Sequence, residues 1–184
     1  MSKKKDFIDV SISPEIQKKI HEFVDAEFGI NFQNRPWYNK SITNDNPMYA
    51  STTGEIAVEI ILGHDVDSEL KRRNTGQGDN GIDITLNGYS WDVKTVRCKY
   101  YPREYYHFTL TDKDLNHSLT NGFIFTSVFY DESMVVIVGY LYKKEFLVYC
   151  KTYEPNEPNE LGKSFSYKTY QVTINQMNNP RDLF

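Results

Sequence analysis

Apolar and polar residues alternate with several different periods along the chain, and each change of period predicts an element. Ser13-Pro14-Glu15 reads as an N-cap with proline at the first helical position, and Ile16, Ile20, Phe23, Val24 and Phe28 follow as a helical stripe that Gly29 ends. A packing helix is therefore expected over residues 14–29, preceded by residues 1–12 as a mobile arm. Asn31 to Ala50 is rich in Asn, Pro and aromatic residues without a clean period and reads as irregular. A second helix is expected from about Thr53 to Leu62, capped by Ser51, Thr52 or Thr53 and stopped by Gly63. Residues 66–73 read as a strand ending in Lys71-Arg72-Arg73, and residues 74–81 as a Gly- and Asn-rich loop.

The most informative stretch is Ile82 to Arg97. Asn87-Gly88 is the signature of a two-residue type I′ hairpin, because both positions need positive φ. If Leu86 and Tyr89 flank the turn, Ile84 faces Trp91 and Ile82 faces Val93, so one side of the hairpin is wholly apolar. On the other side, Thr85 meets Ser90, Asp83 meets Asp92 and Gly81 meets Lys94. Asp83 and Asp92 then form a non-hydrogen-bonded pair, with Cα atoms expected about 4.5 Å apart. Lys94 lies on the same face, roughly 7 Å further along the strand.

Beyond the hairpin, a short helix is expected within Thr109 to Leu119, opening at Thr111 or Asp112. Two β-like runs follow, Phe123 to Tyr130 and Met134 to Tyr142, separated by the turn Asp131-Glu132-Ser133. Lys143 to Tyr149 fits neither period. The repeated Glu-Pro-Asn of residues 154–159 predicts a loop, and Tyr170 to Ile174 a strand before a terminal turn.

Composition narrows the class. The 184 residues are 39% hydrophobic and 25% charged, which suits one domain with one core and excludes global disorder. No apolar run approaches the roughly 20 residues of a membrane span, and Lys3-Lys4-Lys5 is followed by Asp6 rather than a signal core. A reducing cytoplasm is the expected compartment. Cys98 and Cys150 form no CxxC pair, and the four histidines lack ligand spacing, so neither zinc nor a histidine-bound metal is expected. The net charge of −4 disfavours a broad basic nucleic-acid surface, so any phosphate binding must be local. Local basic groups exist at Lys71-Arg72-Arg73 and at Lys94, Arg97, Lys99 and Arg103. The second group interleaves with Tyr100, Tyr101, Tyr105, Tyr106 and His107, a mixture suited to stacking bases or simply to covering a sheet edge.

Opposed aspartates are unfavourable in a ladder, by about 3 kcal/mol at about 5 Å and an effective dielectric near 20. A divalent cation between them removes the conflict, since hard ions take carboxylate oxygens, waters and phosphate. The competing reading is a solvated sheet face, or one bridged by Lys94 as a surface salt network.

Gly54-Glu55-Ile56-Ala57, then Gly81-Ile82-Asp83, then Trp91-Asp92-Val93-Lys94 together resemble the PD-(D/E)XK nuclease superfamily. Residues 51–142 carry that resemblance. It implies an α/β, restriction-endonuclease-like core of order αβββαβ, a central mixed sheet flanked by helices. The helix at 14–29 and the extension at 150–184 are then particular to this chain within a single domain of residues 1–184. Ile82 stands where the superfamily name has Pro. The resemblance further implies that Asp83, Asp92 and the Val93 carbonyl hold Mg²⁺ or Mn²⁺, and that Lys94 orients or helps deprotonate the attacking water. Glu55 would position the metal or help hold a second one, with Glu59, one turn on, sharing its face. Glu55 is preferred because it follows the glycine. The expected activity is Mg²⁺-dependent DNA endonuclease chemistry, of resolvase-like, repair or phage-encoded kind, in host cytoplasm if phage-encoded, with DNA as partner and a homodimer as the form in which many members cut both strands. Two alternatives stand beside it: an RNA-directed nuclease, and a degenerate nuclease fold that binds DNA or serves a structural role.

Overall fold

The computed structural model describes residues 6–33, 47–73, 82–117 and 119–184. The expected loop at 74–81, with Gly81 opposite Lys94, and most of the irregular segment at 31–50 lie outside these residues.

Within the expected mobile arm at residues 1–12, residues 8–11 form a strand instead. β1 (Ile8–Ser11) is an edge strand, antiparallel to the later strand β6 (Met134–Tyr142). Buried Val10 within it and buried Ile12 just after it anchor it in the core. α1 (Pro14–Gln33) runs on through Gly29, since an interior glycine costs a helix only about 1 kcal/mol. α2 (Pro47–Ile61) starts earlier than expected, on the proline that suits a first helical position, so Ser51 to Thr53 are interior rather than capping. Thr53 Oγ1 instead donates back to the Tyr49 carbonyl at 2.6 Å.

Residues 66–73 form a helix, α3 (Val66–Arg73), and not a strand. Asp65 Oδ2 accepts the Ser68 amide at 2.9 Å, Val66 and Leu70 share a face four residues apart, and the basic triplet sits at the negative end of the helix. β2 (Ile84–Leu86) and β3 (Tyr89–Cys98) form the expected hairpin, with Ile84 opposite Trp91, Thr85 opposite Ser90 and Leu86 opposite Tyr89. Asn87 and Gly88 adopt φ of 54° and 77°, as the I′ turn demands.

β4 (His107–Thr111) leads into α4 (Asp112–His117), then β5 (Gly122–Phe129) and β6. The ambiguous stretch after β6 becomes a helix, α5 (Lys143–Tyr149), followed by β7 (Lys151–Tyr153) and β8 (Thr169–Thr173), with 3₁₀ turns at Ile174–Gln176 and Pro180–Asp182. The five-stranded sheet has the order β1-β6-β5-β3-β2, mixed because β3 and β5 run parallel while the other neighbours are antiparallel. β4 is not part of it. With β8 and β7 it makes a second, three-stranded antiparallel sheet.

The molecule is thus α/β, with α1, α2 and α3 on one face of a mixed sheet and the small sheet, with α4 and α5, on the other. Trp91, Val93, Ile124 and Ile137 pack with Ala57 and Val58 of α2. Phe108, Phe123, Phe125, Phe146 and Val172 fill the space between the two sheets. Ile20 and Val24 of α1 close over Ile56 and Leu70. Among the described residues no helix is long and apolar enough to cross a membrane.

Candidate active site

The regular hairpin ladder stops at Ile84–Trp91, and the break assembles the site. Asp83 donates its amide to the Trp91 carbonyl at 2.9 Å, and its Oδ2 accepts the Val93 amide at 2.7 Å. The expected Ile82–Val93 pairing is therefore replaced by a side-chain bond from Asp83. That bond turns the Asp83 carboxyl toward β3, close enough to Asp92 for the two charges to oppose each other. In a strand a residue's N–H and C=O point toward the same neighbour. The Val93 carbonyl is therefore directed to the Asp83 side of β3, where β2 no longer runs alongside.

Asp92 is only 6% exposed, so the solvated-face alternative is excluded. Lys94 does bridge, but not between the two aspartates: its Nζ lies 3.0 Å from Asp92 Oδ2 and 2.7 Å from Asp114 Oδ1. Asp114 escaped the sequence reading as a site residue. The signal was present in Thr111-x-x-Asp114, a capping box in which Asp114 Oδ2 accepts the Thr111 amide at 2.7 Å and Thr111 Oγ1 accepts the Asp114 amide at 3.3 Å. One carboxylate oxygen thus caps α4 while the other fixes Lys94.

Glu55 reaches the site from α2, and its proximity is felt electrostatically at Asp83. It is held by an ion pair with Arg73, a buried residue at the end of α3 whose charge also faces Asp83, Glu59 and Glu69. Glu59 is 2% exposed and turns elsewhere, to His64 Nδ1 at 2.6 Å and Arg72 at 3.4 Å. The basic triplet is therefore partly internal: Arg72 and Arg73 neutralise the glutamates of α2 and α3 instead of forming an open phosphate patch.

Burial pushes the Asp83 carboxyl well above the usual carboxylate range, and the charges of Glu55 and Asp92 push it further. Burial also raises Asp92, against the pull of Lys94. For Lys94, burial favours the neutral amine but is outweighed by Asp92 and Asp114, so the group is held as an ammonium. Asp114 is lowered despite its burial, because Lys94 and Thr111 stabilise its charge. Lys94 is consequently suited to electrostatic and orienting work rather than to proton abstraction at neutral pH.

These donors fit a hard divalent cation. Two adjacent carboxyls, one buried and one half-buried, that resist joint ionisation, next to an outward-directed backbone carbonyl, are an all-oxygen set that such an ion would satisfy. A separate group, Glu59, His64 and Glu69, brings one ligand atom each within 4.8 Å of one another. The guanidinium of Arg72 already contacts both of its carboxylates.

Compared with known proteins, the chain matches no family model, no curated protein and no solved structure. The reading of the site therefore rests on its geometry and chemistry.

A pH-dependent stability follows from the raised carboxyls. A carboxyl with a raised native pKa contributes stability that is complete below the unfolded value, near 3.8, and is lost as pH rises through the native value. In EDTA the melting temperature is expected to rise as pH falls from 8 toward 5, and Asp83→Asn is expected to flatten that dependence. Added Mn²⁺ is expected to stabilise more at pH 8 than at pH 5, because binding must displace those protons. Thermal melts at the two pH values, with and without Mn²⁺, check both statements.

Proposed function

We propose that this chain is a metal-dependent nuclease of the PD-(D/E)XK kind that hydrolyses phosphodiester bonds in DNA. The observation that carries the reading is the adjacent carboxyls of half-buried Asp83 and buried Asp92, with the ammonium of Lys94 3.0 Å from Asp92. Support also comes from the order of elements: a helix bearing Gly54-Glu55, a hairpin bearing the two aspartates, and a crossover through α4 to a parallel strand. This order fits a restriction-endonuclease-like core, with β4 diverted into the second sheet.

In this reading Asp83, Asp92 and the Val93 carbonyl hold Mg²⁺ or Mn²⁺. The bound ion supplies Lewis-acid stabilisation of charge developing on the phosphate and lowers the pKa of water. Lys94 orients the water and adds positive charge beside the scissile phosphate. Asp114 positions Lys94. Arg73 holds Glu55 at the edge of the pair through their ion pair.

Supercoiled, linear and single-stranded DNA and RNA, incubated with Mg²⁺, Mn²⁺ or EDTA, test the proposal. DNA cleavage that requires the metal is expected. Salt-sensitive DNA binding without any cleavage would instead favour a binding module. Among the glutamates, Glu55→Gln is expected to lower the cleavage rate about tenfold or more, and Glu59→Gln to act mainly on stability. Initial rates and thermal melts of the two variants separate these effects.

A further inference from the structure

On β3, Asp92, Lys94, Val96 and Cys98 share one face because strand residues alternate. Beyond Lys94 that face opens into a cleft of about 610 Å³ between the end of β3, β4 and the loop that joins β7 to β8. Such a volume is in the range of binding pockets. Among its described lining residues are Lys99, Tyr100, Tyr105, His107, Lys163 and Phe165, and none of the described lining residues is a carboxylate. In a chain with 25 acidic residues, that local absence sets the cleft apart electrostatically. The acid beside it, Glu160, is paired with Lys151 at 2.6 Å.

The outer wall is built rather than loose. Asn159 is buried, its amide donates to the Lys163 carbonyl at 2.7 Å, and its Oδ1 accepts the Lys163 amide at 2.9 Å. The Asn156 amide donates to the Phe165 carbonyl at 2.6 Å, so Lys163 and Phe165 are presented from a fixed backbone. The rings opposite stand open to solvent, with Tyr100 63% and Tyr105 59% exposed. Lys99 Nζ sits 5.5 Å from the Tyr100 ring centre.

We propose that this cleft binds an unpaired segment of a DNA strand, stacking bases on Tyr100, Tyr105 and Phe165 while Lys99 and Lys163 contact phosphates. The proposal deepens the nuclease reading and rests on it for the choice of DNA, since the same strand would run on to the Asp92–Lys94 face. Exposed aromatic faces stack only on bases whose own faces are free, and duplex bases are already stacked on one another. Lysines in a cleft whose described lining has no carboxylate match a phosphate backbone.

The test is fluorescence anisotropy of the full chain in EDTA, with a labelled oligothymidylate and a duplex of equal length. The single strand is expected to bind at least about tenfold more tightly than the duplex. Tyr100→Ala and Phe165→Ala are each expected to weaken binding about fivefold or more, and Tyr100→Phe to restore it, because the ring is kept. Lys99→Ala and Lys163→Ala are each expected to reduce the salt slope of binding by about 0.7. Equal affinity for single strand and duplex, or undiminished binding by the Tyr100→Ala, Phe165→Ala double variant, would overturn the proposal. Metal-dependent cutting of duplex without single-strand preference overturns the cleft and leaves the nuclease reading standing. Preferential, ring-dependent single-strand binding without cutting upholds the cleft and removes the nuclease.

Discussion

Asp92→Asn is expected to lower metal-dependent DNA cleavage by about 10³-fold or more while leaving a folded protein. The magnitude follows from general enzyme behaviour: losing one neutral transition-state donor costs about 10²–10³-fold, and a charged group that would bind the metal is expected to cost more. The fold should survive because Asn keeps the size of the side chain, and because neutralising one of two adjacent carboxyls relieves repulsion. Lys94→Ala is expected to match that loss of activity, since it removes the ammonium and leaves Asp92 and Asp114 without their shared partner. Initial rates with Mn²⁺, paired with circular-dichroism melts, provide the measurement. Cleavage by Asp92→Asn at the wild-type rate would move the chemistry to another site.

Gly54→Ala is expected to destabilise the protein by about 3 kcal/mol, or about 6–12 °C in melting temperature. α2 crosses the sheet so closely here that a Cβ on residue 54 would fall 2.6 Å from Thr126 Oγ1 and nearer still to Thr95 Oγ1. These threonines are stiff at χ1 and bonded to each other at 2.8 Å, so they cannot turn aside freely. Relief requires α2 to lift, and Glu55, the next residue, lifts with it. Cleavage is therefore expected to fall beyond what the remaining folded fraction explains, a comparison made well below the melting temperature. An unchanged melting temperature would mean that the helix stands off the sheet.

The same two regions mark what was legible in the sequence. The register from Asn87-Gly88 is a local consequence of positive φ and period-two alternation, so Asp83 and Asp92 could be brought together from residues alone. β5 and β6 were legible as continuous apolar, β-branched and aromatic runs on either side of a turn, the pattern of strands buried on both faces. Residues 66–73 were misread because a short segment satisfies strand or helix patterns almost equally, and the deciding features were the Asp65 cap and the packing of Leu70 under α1 and α2. β1 was missed because four residues with one buried side chain carry too little pattern; its stability comes from pairing with β6.

The sequence by itself determined the hairpin, its acidic pair, the glycine-led helix and the size of the core, since each depends on neighbours within a few residues. Tertiary structure decided which charges meet: Asp114 on Lys94, Arg73 on Glu55, and Glu59 away from the pair with His64. It also decided that β4 leaves the main sheet and opens the aromatic cleft beside β3. Ion pairing and burial depend on groups tens of residues apart, and no local periodicity encodes which of several like residues will be adjacent once the chain has folded.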